Sequence, residues 1–172
     1  MINESAGDDA WFEGLYRSHA PAVMAYARRR LTDAQDSEDV VVEVFGIAWR
    51  RRRDLPDDPL PWLYATAGNV IAHLTRSHTR RGRLGAKLAS QPDAAYEPQS
   101  AIDDAEPLRL AMSRLPESDQ EVLRLWAWED LDGPRLAQAL GCSPGTARTR
   151  LHRARTRLRT TLTALMPEEG TA

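Results

Sequence analysis

The chain has 172 residues, 42% hydrophobic and 28% charged, with a formal net charge of −2, a length that holds one domain or two small ones. No apolar run approaches the roughly 18 residues of a membrane span, and residues 1–5 lack the basic-then-apolar pattern of a secretory signal, so a cytoplasmic protein without membrane insertion is expected. Cys142 is the only cysteine, which excludes an internal disulfide and any multi-cysteine zinc site.

The predicted elements are almost all helical. Phe12, Leu15, Tyr16, Val23, Ala27 and Leu31 recur at helical spacing, with Pro21 a candidate bend. Asp36 or Ser37 is the expected cap of a second helix, whose apolar stripe is Val40, Val41, Val44, Phe45 and Ala48. That stripe leaves Asp39, Glu43 and Arg50 on another face. Pro56, Pro59 and Pro61 then break the helix, since proline lacks the amide that a helix interior needs. A third helix is expected from about Trp62 to Arg80, with Leu63, Ala67, Val70, Ile71 and Leu74 inward. Residues 82–102 show no periodicity and contain Gly82, Gly85, Pro92 and Pro98, the composition of a flexible linker.

A second helical unit follows. Leu108, Met112 and Leu115 form one stripe, and Pro116 suits the first turn of the next helix, where Val122, Leu123, Leu125 and Trp126 are expected inward. Asp132 is placed to cap a short helix containing Leu136, Ala137 and Leu140. Gly141 ends that helix where a left-handed residue is easiest. Ser143 caps the last helix and Pro144 takes its first position.

Charge is distributed unevenly along these elements. There are 22 arginines and one lysine, Lys87. Residues 73–87 carry Arg76, Arg80, Arg81, Arg83 and Lys87 with no acid, and residues 133–167 carry seven arginines with no acid. Between them, residues 88–132 hold 11 acids against three arginines, a local charge of −8. Basic tracts of this kind are the electrostatic footprint of phosphate binding.

The strongest local signal is the run from Leu136 to Leu151: a short helix, a turn with glycine, then a capped helix rich in arginine and threonine. This is a helix-turn-helix pattern. At about 100° per residue, Ala147, Leu151, Ala154 and Leu158 share one side of the last helix. Gly145, Arg148, Thr149, His152, Arg153 and Thr156 fall roughly opposite, with Arg150, Arg155 and Arg157 on the flanks. Arginine pairs bidentately with guanine, and threonine contacts base edges or a thymine methyl. Arg148, Thr149, His152 and Arg153 are therefore the expected base readers. Arg135, Thr146, Arg150 and Arg157 are the expected phosphate contacts. His19, His73, His78 and His152 have no metal-ligand spacing. No glycine-rich phosphate loop or Gly-x-Ser-x-Gly elbow is present, so no enzyme, metal or cofactor is expected.

At this point the sequence resembles the extracytoplasmic-function (ECF) sigma factors of bacterial RNA polymerase. Four stretches carry the resemblance: Phe12 to His19 with Tyr26 to Leu31; Asp36 to Phe45 with Ala48-Trp49-Arg50; Pro61 to Tyr64 with Asn69-Val70; and Leu115-Pro116-Glu117 with Glu121 to Leu123, then Gly145 to Arg155. The resemblance implies two helical domains joined by a linker: residues 8–81 for core polymerase and the −10 element, 82–102 as linker, and 103–166 for the −35 element. It places Asp39, Val42 and Glu43 against the clamp helices of the polymerase β′ subunit, with the β flap as a second contact. It places Arg53 and Leu55 in a loop that captures a flipped −10 base, and Asn69, His73, Arg76 and Arg80 along the separated strand. Trp62 and Tyr64 are candidate stacking rings, though aromatics at helical spacing more often pack in a core.

The chain departs from the family pattern at Val42, where glutamine is usual, at Asp132-Gly133-Pro134-Arg135, and at Thr66 and Gly68, where longer side chains are common. The implied partners are core RNA polymerase, promoter DNA and an anti-sigma factor, with a monomer when free. A stand-alone helix-turn-helix regulator and an interaction adaptor that has lost DNA binding are the alternatives.

Overall fold

A computed structural model describes residues 4–85 and 106–165, with side chains for 7–79 and 106–165. The chain divides into two compact units, Met1–Pro98 and Gln99–Ala172. Among the described residues there are seven helices and no strand.

The first unit packs α1 (Glu4–Arg28), α2 (Ala34–Arg50) and α3 (Leu60–Gly85) so that each touches the other two. The helix passes through Pro21 without ending. Asp33, and not Asp36 or Ser37, caps α2: its backbone is extended and its carboxylate accepts from the amides of Gln35 at 2.7 Å and Asp36 at 3.1 Å. Asp36 instead lies in the first turn, where the helix dipole favours an acid. Ser37 is fully buried, and its hydroxyl donates to the Asp33 carbonyl at 3.1 Å.

The expected α2 stripe of Val40, Val41, Val44, Phe45 and Ala48 is wholly buried. Burying each Val or Phe contributes about 1.5–3 kcal/mol, which makes this face the main anchor of the unit. Leu15, Val23, Ala27, Leu63, Ala67, Val70 and Ile71 complete the core. Phe12 meets Trp49 edge-on at 5.3 Å and Tyr16 meets Phe45 at 4.8 Å, while Tyr16 keeps 44% of its surface exposed.

Helix α3 is longer than expected at both ends. It starts at Leu60, with Pro61 buried in the first turn, where a missing amide costs nothing. It continues to Gly85, so the linker does not begin at 82. The rest of the expected linker, 86–102, lies outside the described residues.

The second unit packs α4 (Glu106–Ser113), α5 (Glu117–Ala127) and α6 (Gly133–Ala139) against α7 (Pro144–Leu165). Leu115, Leu123 and Ala154 form its centre, with Met112, Leu151 and Leu158 packed on them. Ala111 fills the α4 contact, and Leu108, expected inward, is exposed. Val122 and Leu125 are buried as expected, but Trp126 is 37% exposed because it lies under the Arg155 guanidinium instead of in the core. Pro116 occupies the position just before α5 and not its first turn.

Candidate nucleic-acid and protein interfaces

The turn between α6 and α7 is built from its sequence signals. Gly141 takes φ +60°, a conformation that costs glycine little, just after Leu140 caps the end of α6. The Ser143 hydroxyl accepts the Thr146 amide at 3.2 Å and lies 2.9 Å from the Thr146 hydroxyl, and Pro144 opens α7. At the other end of α6, Asp132 holds the cap position without a side-chain hydrogen bond. Gly133 at φ +41° turns the chain there, so the first turn does not present its amides to the carboxylate as a regular cap does.

Helix α7 then presents two chemically different sides. Ala147 and Ala154 are buried, at 1% and 0% exposure, so the backbone of α7 lies close against its neighbours. On the other side Arg148, Thr149, His152, Arg153 and Thr156 are all exposed, in one continuous surface. The Thr149 hydroxyl donates to the Gly145 carbonyl at 3.0 Å. Its methyl and lone pairs remain for a partner, which suits a thymine methyl or a base amino group. Thr146 and Arg150 are exposed on a flank, and Arg135 is half-buried on α6. Arg157 differs from these. Its guanidinium bonds the buried Asp119 carboxylate of α5 at 2.5 Å, tying α7 to α5. The sequence hid this tie because the partners are 38 residues apart, and the Arg157 side chain stays 57% exposed beside it.

In the first unit, Asp39, Val42 and Glu43 are exposed together on α2, opposite the buried stripe. Asp39 accepts from Gln35 Nε2 at 3.1 Å, which fixes its direction along the helix. Val42 is 70% exposed, the most open large apolar side chain described, so an apolar side chain lies beside the two carboxylates. After α2, Arg52 is clamped: it donates to Asp8 at 2.7 Å, lies 4.8 Å from the Trp49 ring centre, and donates to the Trp49 carbonyl at 3.2 Å. Sequence reading missed this anchor. It fixes the start of the loop that carries Arg53, which is exposed, and Leu55, which is half-buried.

Asn69, His73 and Arg76 are exposed along α3, and the side chain of Arg80 lies outside the described residues. Tyr64 is not a surface ring: it is 4% exposed and stacks on Tyr26 at 5.2 Å. Trp62 is half-buried. Gly68 has a structural reason, since a Cβ there would sit 3.0 Å from the Tyr26 hydroxyl. Arg30 lies over the Tyr26 ring, 3.5 Å from the ring centre.

His19 on α1 is half-buried, and burial lowers its pKa below the usual 6.5, while Asp58 in the loop opposes that shift. The folded state therefore binds fewer protons at this position than the unfolded state, so stability is present above about pH 6.5 and is lost as pH falls through the lower folded value. The prediction is that His19→Gln flattens the fall in melting temperature between about pH 7 and pH 5. Thermal unfolding at stepped pH checks it, and an unchanged profile would contradict it.

These two surfaces lie in segments that match known families. Residues 15–81 match the model "Sigma-70 region 2", and residues 105–158 match "Sigma-70, region 4". The chain is 30% identical to the ECF RNA polymerase sigma factor SigL of Mycobacterium tuberculosis over 94% of each chain. It is 31% identical to the RNA polymerase sigma factor CarQ of Myxococcus xanthus, covering 86% of this chain and 87% of that one. Two solved structures share the fold. One is the sigma factor RpoE in complex with the anti-sigma factor NepR from Bartonella quintana (TM-score 0.65, 22% identity, covering 88% and 96%). The other is CnrH in complex with the cytosolic domain of CnrY (TM-score 0.61, 24% identity, 92% of each). The chain belongs to the ECF RNA polymerase sigma factors of the sigma-70 family. It is a promoter-recognition subunit in transcription initiation. Among the described residues no helix is long and apolar enough to cross a membrane.

Proposed function

We propose that the two surfaces divide the work of initiation between the two units. In the first, Asp39 and Glu43 pair with basic residues on the β′ clamp helices, and Val42 packs an apolar contact beside them. Arg53 and Leu55 hold a flipped −10 base, and Asn69, His73, Arg76 and Arg80 track the separated strand by charge and hydrogen bonding. In the second, Arg148, Thr149, His152 and Arg153 read the −35 major groove while Arg135, Thr146 and Arg150 fix the register on phosphates. The boundaries proposed for these roles are 8–81 and 103–166, with the β flap contacting the second.

The observation that carries this reading is the α7 surface: five polar or basic side chains exposed together, on the side of the helix away from two buried alanines. The chain carries out no covalent chemistry in this scheme, needs no metal or cofactor, acts in the cytoplasm and is monomeric when free. An anti-sigma partner is proposed from the likeness to RpoE and CnrH, both solved with a partner bound. No feature of the fold favours a stand-alone regulator or an adaptor. The test is a gel-shift experiment with core polymerase and promoter fragments selected from a library randomised at −35 and −10. A specific complex should form only when core enzyme and this protein are both present. Specific binding by the protein alone as a dimer would overturn the scheme in favour of the stand-alone regulator.

A further inference from the structure

Helix α5 reaches α7 at both of its ends, and each end holds an arginine differently. Near its start, Asp119 takes the Arg157 guanidinium in an ion pair. At its finish, Trp126 lies beneath the Arg155 guanidinium, 4.9 Å from the ring centre. At about 100° per residue, Arg155 falls on the opposite flank of α7 from Thr146, Arg150 and Arg157.

A carboxylate and a ring leave an arginine in different chemical states. Asp119 neutralises Arg157 and takes a hydrogen bond from its Nη1, which turns that guanidinium toward α5. An aromatic ring attracts the flat face of a guanidinium and leaves the in-plane N–H donors pointing outward. Those donors have the fork geometry that matches two phosphate oxygens. Among the described residues no carboxylate pairs with Arg155. The exposure of Trp126 fits the same picture: an indole left 37% in water supports a cation at the surface.

A helix lying in the major groove has a phosphate backbone on each side. The flank carrying Thr146 and Arg150 faces one of them, and a contact to the other must come from the opposite flank. The geometry points to Arg155, positioned by Trp126, as the phosphate contact to the second strand, with Arg157 serving as the tie between α5 and α7. This inference rests on the −35-reading role of α7.

The experiment measures binding of holoenzyme to a duplex carrying a library-selected −35 element, in the cold so that the DNA stays closed, across a salt series. Arg155→Ala should reduce the slope of log K against log salt by about one unit and weaken binding to all −35 sequences alike. Trp126→Ala keeps the charge, so the slope should hold while affinity falls about 2–5-fold, the size of an exposed cation–π contact. Trp126→Phe should restore most of that loss and Trp126→Leu should not, since apolar bulk without a ring face cannot hold the guanidinium. Arg157→Ala should leave the slope unchanged and lower the melting temperature. A slope that falls with Arg157→Ala, or that holds with Arg155→Ala, would overturn the assignment. Failure of the unmodified holoenzyme to select any −35 sequence would instead overturn the sigma-factor reading of α7.

Discussion

Replacing Asp39 and Glu43 together with alanine should abolish most binding to core RNA polymerase while leaving the fold intact. Both side chains are exposed on the outer face of α2, and neither touches the Val40, Val41, Val44, Phe45 and Ala48 stripe that holds the helix. Surface changes away from such features usually stay within about 0.5 kcal/mol of stability. The one local loss is the Gln35–Asp39 hydrogen bond, worth about 0.2–0.5 kcal/mol on a helix surface. At an interface the cost is larger, because truncating one partner of a desolvated charge pair strands the other, at roughly 2–5 kcal/mol. Even the low end for one pair lowers affinity about 30-fold, and two losses exceed that. Fluorescence titration of core enzyme with labelled protein measures the effect, and circular dichroism confirms the helices. Unchanged affinity would show that this face of α2 does not meet the clamp.

Arg153→Ala should flatten discrimination among −35 sequences, the largest effect expected on the DNA side. Arg153 is exposed on the side of α7 opposite Ala147 and Ala154, where a bidentate contact to guanine is geometrically natural. Losing one such contact costs about 1–3 kcal/mol at the base it reads, a factor of about 5–150 in preference there. Arg150→Ala should behave differently. Arg150 is on the flank, so its loss should lower activity on every −35 variant by a similar factor and reduce the salt slope by about one unit. Transcription from a panel of −35 variants separates the two. If Arg153→Ala leaves the ranking of variants untouched, the reading face has been placed on the wrong side of α7.

How far the sequence led depended on whether a signal was local. The α2 stripe and the α6–α7 turn were legible because helical periodicity, Gly141, Ser143 and Pro144 act within a few residues of themselves. The start of α2 was not, since Asp33 and Asp36 both precede the stripe and only the extended backbone at Asp33 decides between them. Both ends of α3 were misplaced because Pro61 is harmless in a first turn and the glycine at 82 does not stop a helix on its own.

The site residues divide in the same way. The projection that put Arg148, Thr149, His152 and Arg153 on one exposed side needed only the helix period. The separation of Arg155 from Arg157 needed α5, whose Trp126 and Asp119 lie 29 and 38 residues away in sequence. Periodicity alone sent Trp126 to the core, and only the cation over its ring explains why it stays at the surface. Gly68 is a similar case. It departs from the family pattern, and the Tyr26 hydroxyl that fills the space beside it comes from α1.

Run-off transcription from a library-selected promoter, using core RNA polymerase with and without this protein, tests promoter-specific initiation by this chain most directly. A defined transcript should form only when the protein is present and be lost when either the −35 or the −10 element is scrambled. The Asp39→Ala, Glu43→Ala double variant should lose that transcript as well. A transcript that forms equally without the protein, or one that is indifferent to both promoter elements, would contradict promoter-specific initiation by this chain.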